Sequence, residues 1–341
     1  MRNPLTDWML ALLLAGLLAT GCTSGKTPSA QTNSENSGDQ PVPEASDPAR
    51  AGASHASSHP KFRLQLDKAW QLNSPDGQRF DASGLLMRTN GDLLTLNDRG
   101  ATLFRIEFVP GLNAANLVPV PGWFTPDQLT RLGPSRHGRL DCEGIAEDAQ
   151  GRIYVCEEDN RWILRFDPAT QKIERLEISW KPVKKYFDTH NHNASFEGVA
   201  VGPDRLYVAN ERSQGRIIVV DLATLRVVDD FTTGSRRWHA KDVHYSDLSW
   251  QGGHLWALLR EKHVILKLNP ATHAILGEFD FSQIEDRPEL DYHTRSGTGV
   301  MEGLAVTAEH FWLVTDNNGL PRKNFPQDSR PTLLKCPRPD R

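Results

Sequence analysis

From residue 62 onward the chain is a succession of short apolar runs, mostly five or six residues long, separated by Gly, Asn and Asp turns. "ASGLL" from residue 82 is followed by the turn "TNGD" and the run "LLTLND", and the same order returns with "DAQG", "GPDR", "QGGH" and "TAEH" as the turns. A third run follows each pair ("LFRIEF", "WILRFDP", "RIIVVDL", "VILKLNP"), then a second turn ("DPATQ", "DLATL", "NPATH") and a fourth run ("IERLEI", "RVVDDF", "ILGEFDF"). Runs of this length and spacing predict antiparallel strands. Aligning Gly84, Gly144, Gly198, Ser249 and Gly303 gives a period of about 50 to 60 residues, which predicts an all-β propeller. Five four-stranded blades account for the runs, with six as the alternative. The last unit has three strands ending in "TLLKC", so the N-terminal segment "FRLQLDKAW" is expected to supply its outer strand and close the ring.

In a blade, the start of the innermost strand and the end of the second strand share one face of the disc. Three motifs exploit this: "DCEGIAEDAQGRIYVCEED" at 141–159, "SFEGVAVGPDRLYVANER" at 195–212 and "VMEGLAVTAEHFWLVTDNN" at 300–318. Glu143, Glu197 and Glu302 begin innermost strands, and Asp98, Glu157, Glu211 and Asp316 end second strands. Both sets are expected at one mouth of the central channel. The long segments 110–140, 179–195, 232–246 and 282–300 lie on the same face, where binding usually resides. The fourth unit departs from the pattern, with Asp247 and Ser249 around Leu248.

Acids gathered at one mouth repel one another unless a divalent cation, protons or arginines neutralise them. Ca²⁺ is the first choice of cation, with Asp98, Glu157, Glu211 and Asp316 as ligands and Glu143, Glu197 and Glu302 as catalytic groups. Arg99, Arg161, Arg212 and Arg260 lie at or just past second-strand ends. They either pair with the acids and hold blades together, or clamp a small anionic ligand such as a phosphate ester.

The elements "EGIA…E", "EGVA…NE" and "EGLAV…LVTDNN" resemble the phytase-like propeller family, often described as having esterase-like activity. The resemblance spans nearly the whole folded part and implies a phosphoesterase or other ester hydrolase. Glu143, Glu197, Glu302 and Asp316 match the family pattern. Dense Asp-Gly calcium motifs are absent, which argues against phytate itself. A gluconolactonase-type propeller, holding one divalent cation through Glu, Asn and Asp, is a second enzymatic analogue.

The N-terminus changes the setting. Residues 1–21 read as a signal peptide, with one Arg and an apolar run from Trp8 to Leu18. "LATGC" resembles a bacterial lipobox and makes Cys22 the lipidated first residue of the mature chain; an ordinary signal would leave that cysteine incidental. Thr23 in place of Asp points to the outer membrane, facing the periplasm. Residues 22–60 are too polar to bury a core and read as a disordered tether reaching about 35 Å. Residues 61–341 form the propeller, so the membrane is met only through the lipid. A net charge of −4 excludes nucleic acid as a partner, and oligomeric state is left open.

Other chemistry is sparser. His190, His192, His239 and His244 lie on the loop-rich face without a zinc motif around them, and no G-x-S-x-G elbow occurs. Cys142 and Cys156 flank one hairpin and are either a disulfide or two buried thiols; Cys336 has no obvious partner. A non-catalytic binding propeller is the alternative reading, and it requires an exposed patch among Trp123, Phe124, Trp180, Tyr186 and Trp238.

Overall fold

A computed structural model describes residues 59–135, 140–188, 195–211, 215–233, 243–294 and 299–341. Cys22, Arg212, His190, His192, Trp238 and His239 lie outside the described residues. The described chain opens with two short strands, β1 (Lys61–Arg63) and β2 (Lys68–Asn73). The first meander follows: β3 (Ala82–Met87), β4 (Leu93–Asn97), β5 (Leu103–Phe108) and β6 (Ala114–Pro119). The second is β7 (Cys142–Glu147), β8 (Ile153–Glu157), β9 (Trp162–Asp167) and β10 (Lys172–Arg175). The third is β11 (Phe196–Val201), β12 (Arg205–Asn210), β13 (Arg216–Asp221) and β14 (Arg226–Phe231). The fourth is β15 (Asp247–Gln251), β16 (His254–Leu259), β17 (Val264–Leu268) and β18 (Ile275–Asp280). The fifth has β19 (Met301–Val306), β20 (His310–Thr315) and β21 (Thr332–Pro337), with β2 antiparallel to β21 as its fourth strand.

Local chemistry sets the turns. β15 and β16 are joined by Gly252 and Gly253 at φ 62° and 75°, the two-residue hairpin that only positive φ allows. The "DPATQ", "DLATL" and "NPATH" turns each use a left-handed fifth residue, Gln171, Leu225 or His273. In each, the leading Asp167, Asp221 or Asn269 accepts a backbone N–H two or three residues on, at 2.9 Å.

The meanders are stacked as a ring. Innermost strands β3, β7, β11, β15 and β19 pack in that order, and β19 returns to β3. Five hydrophobic seams fill the gaps, one between each neighbouring pair of meanders. The N-terminus divides its work in a way the sequence pattern did not indicate. Residues expected to form one strand make two: β1 adds in parallel to β18, whereas β2 completes the fifth meander and also pairs in parallel with β6. The fifth and first meanders therefore share one eight-stranded sheet.

Cys142 and Cys156 are both buried free thiols. They belong to different seams, on opposite faces of the second sheet, so no disulfide can join them.

The Glu-Gly motif has a structural cause. In the first, second, third and fifth meanders the register between innermost and second strands slips at this point. The slip is a β-bulge, and its extra residues include Ser83, Glu143, Glu197 or Glu302. Bulges leave one residue unpaired and re-aim its side chain. The following glycines are required by proximity: a Cβ on Gly144 would lie 2.7 Å from the Cα of Gly198, and one on Gly198 2.7 Å from the Cα of Asp247.

Gly198 thus faces Asp247, not Ser249, which corrects the alignment of the fourth unit. β15 has no bulge. Its Asp247 takes the place of glycine at the axis, fully buried, and accepts backbone N–H groups from Leu304 (2.7 Å), Leu248 (2.8 Å) and Leu85 (3.4 Å). One carboxylate therefore ties three inner-strand amides across the channel.

Candidate functional site

The four bulge residues, Ser83, Glu143, Glu197 and Glu302, line a cavity of about 220 Å³ at one mouth of the channel. The residue just past each second strand joins them: Asp98, Glu158, Glu211, Arg260 and Asp316. Asp141, Arg99 and Asn318 complete the polar wall. Among the described residues, eight carboxyl groups thus face two guanidinium groups.

Both arginines are engaged. Arg260 replaces acid in the fourth meander and bridges its neighbours, pairing with Glu211 at 3.2 Å and with Glu302. Arg99 is half-exposed at the rim and reaches Asp81 over 3.4 Å, while Arg79 holds the other Asp81 oxygen at 2.7 Å. Asn318, in a left-handed conformation, donates to both Asp316 oxygens at 2.7 and 3.0 Å.

The remaining acids fall into two groups. Asp98, Asp141 and Glu143 each offer one oxygen, all within 4.8 Å of one another. At that distance and an effective dielectric constant of about 20, two carboxylates repel by about 3 kcal/mol. Asp98 Oδ1 is buried without a hydrogen-bond partner among the described residues. Glu158 and Glu197 form the second group and share a side-chain hydrogen bond, which requires a proton on one of them. Glu158 also accepts the backbone N–H of Ser195 at 3.1 Å.

Burial, reinforced by neighbouring acids, raises these carboxyls. Asp98 is pushed up to about 7, by burial and then by Asp81, Asp316 and Asp141. Glu158 rises to about 8, mainly through burial, and Asp316 to about 6. Glu143 is held well above the usual range by burial and by Glu158, Asp141 and Asp98. Glu197 is likewise raised by burial, Glu158 and Glu211, against an opposing pull from Arg260. An orphaned carboxylate oxygen beside two more acids is a donor set of the kind that hard divalent cations take.

Most of the sequence-predicted residues converge here: Glu143, Glu197, Glu302, Asp98, Glu211, Asp316, Arg99 and Arg260. Two do not. Glu157 is fully buried beneath the wall, where it accepts Asn160 Nδ2 and N at 3.0 and 2.9 Å, because successive side chains on β8 alternate faces. Arg161 turns away to donate to the Asp188 carbonyl at 2.9 Å and stacks its guanidinium on Phe187. His244 pairs with Glu261. Among the described residues, the aromatic candidates Trp123, Phe124, Trp180 and Tyr186 are buried or half-buried. Trp123 and Phe124 pack on Phe166, and Trp180 packs on Phe196.

Sequence reasoning missed Glu158, Asp141, Ser83 and Asn318. The signal for Glu158 was present: Gly84 to Asp98 and Gly144 to Glu158 span equal stretches of chain.

Residues 78–319 match the phytase-like family described as "Esterase-like activity of phytase". The chain belongs to this family. Among solved structures, this phytase-like chain is similar to Myxococcus xanthus glutaminyl cyclase, at 12% identity and a TM-score of 0.53, over 82% of this chain and 97% of that one. That likeness is one of propeller fold. Matches also include virginiamycin B lyase from Staphylococcus aureus (13% identity, TM-score 0.38, 77% and 72% of the chains). A PQQ-bound aldose sugar dehydrogenase from Streptomyces coelicolor matches at 14% identity, with a TM-score of 0.43 over 80% and 97%. No curated protein matches the sequence. No helix among the described residues is long and apolar enough to cross a membrane.

Proposed function

We propose that this protein is a divalent-cation-dependent hydrolase of phosphate or other esters, held at the bacterial outer membrane, facing the periplasm, by lipidated Cys22. The observation that carries the catalytic part is the orphaned Asp98 Oδ1 beside Asp141 and Glu143, next to the proton-sharing pair Glu158–Glu197. Asp98, Asp141 and Glu143 would hold the cation, which supplies Lewis acidity to the ester oxygen and lowers the pKa of a bound water.

Among the described residues Arg260 and Arg99 are both paired with acids, so a bound cation would add the positive charge that an anionic ester needs in the wall. Glu158, at about 8, carries its proton at neutral pH and is poised to donate it to a leaving oxygen. The hydrogen bond from Glu197 pulls Glu158 down against burial, so Glu158 is the member of the pair that gives up its proton more readily. Arg260 fixes Glu211 and Glu302, and the half-exposed Arg99 is the guanidinium able to turn toward an anionic oxygen.

The reading is tested by hydrolysis of phenyl phosphate and phenyl acetate, whose leaving oxygen needs a proton, after chelation and after return of Ca²⁺ or Mg²⁺. Turnover is expected only with cation, and Glu158→Gln is expected to lower kcat by about 10²-fold or more with KM little changed. Equal turnover in chelator, or in Glu158→Gln, would remove the proposal.

A further inference from the structure

The other mouth of the channel carries a second cavity of about 810 Å³, within the usual range for small-molecule sites. Its floor is aliphatic and comes from the inner strands: Leu85, Ile145, Val199, Leu248 and Ala305, each no more than 2% exposed. One wall is the half-buried indole of Trp250, stacked on Tyr207 at 5.6 Å and resting against Gly202.

The rim is ionic but spent. Glu147 is held by Arg88 at 2.6 Å, Asp148 by Arg152 at 2.6 Å, and Arg205 by Asp221 and Asp204 at 2.7 and 2.9 Å. Every charged side chain of the lining is paired in this way. A charged ligand would lose hydration there and find no counter-charge, whereas an uncharged apolar one loses nothing polar. This cavity and the acidic mouth share no lining residue.

We propose that this second mouth is a binding site for a neutral, apolar small molecule, separate from the acidic site. Affinity comes from the water-accessible apolar surface of Trp250, Leu86, Met87 and Leu222 above the floor, and exclusion of ions comes from the closed rim pairs. The proposal does not depend on the hydrolytic reading.

The test is a fluorescence titration of the full-length chain with the uncharged probe N-phenyl-1-naphthylamine, with melting curves as a check on folding. A saturable rise at one probe per chain is expected, weakened about tenfold by Trp250→Ala. Met87→Lys, which brings an unpaired charge to the wall, should weaken it similarly, while Glu197→Gln at the acidic mouth leaves it unchanged. A rise that does not saturate, or equal affinity in wild type, Trp250→Ala and Met87→Lys, would overturn the proposal. So would saturation at one probe per two chains with a dimer mass in light scattering, which would make the cavity an interface between copies.

Discussion

Glu158 decides whether the acidic mouth can perform acid–base chemistry. Its carboxyl is raised to about 8 and that of Asp98 to about 7, both mainly by burial, against values near 4 in an unfolded chain. Between those limits the folded state binds more protons than the unfolded state, so stability falls as pH rises. The melting temperature of metal-free protein should therefore drop between pH 5 and pH 8.5. Glu158→Gln, neutral throughout, should flatten part of that slope. A melting temperature that is flat or climbs across the interval in the wild type would show that these carboxyls ionise without penalty. Glu157, one residue earlier, is raised to about 7 by burial, yet its hydrogen bonds to Asn160 and the Asp141 amide make it a turn brace.

At the scale of elements, the bulge and the axial aspartate explain why Glu-Gly recurs and why the fourth unit lacks it. Asp247→Ala would strip an acceptor from three buried amides, at roughly 1–3 kcal/mol for each unsatisfied group. A loss of about 3 kcal/mol or more is expected in urea unfolding, with Asp247→Asn costing clearly less because it keeps one oxygen. Gly198→Ala should also destabilise, by about 1–3 kcal/mol, since its Cβ meets strand backbone that cannot yield. Equal stability of Asp247→Ala and wild type would mean that the carboxylate does not tie the strands. Strands and turns were legible in the sequence because alternation and Gly-Gly or Asp-led turns are local signals. The bulges were not, since they are defined by register against a partner strand. For that reason spacing alone sets Ser249 beside the glycines and points to Glu157, not Glu158, as the residue at the mouth.

For the whole molecule, the ring arrangement turns weak individual signals into one site. The repeat by itself places Glu143, Glu197, Glu302, Asp98 and Asp316 on one rim, because blade geometry fixes where strands begin and end. The grouping within that rim depended on contacts between meanders. Asp98 comes from the first meander, while Asp141 and Glu143 come from the second, and only packing of β3 against β7 brings them within 4.8 Å. Ring closure through β2, shared between the fifth and first sheets, holds that packing. The most direct test is calorimetric titration of Ca²⁺ and Mg²⁺ into metal-stripped full-length protein, repeated with Asp98→Asn. Saturable binding of at least one of the two cations, weakened about tenfold or more in Asp98→Asn while Glu302→Gln binds nearly as the wild type does, is expected. Absence of binding by both cations in well-folded protein, or binding indifferent to Asp98→Asn, would contradict a cation site at this mouth.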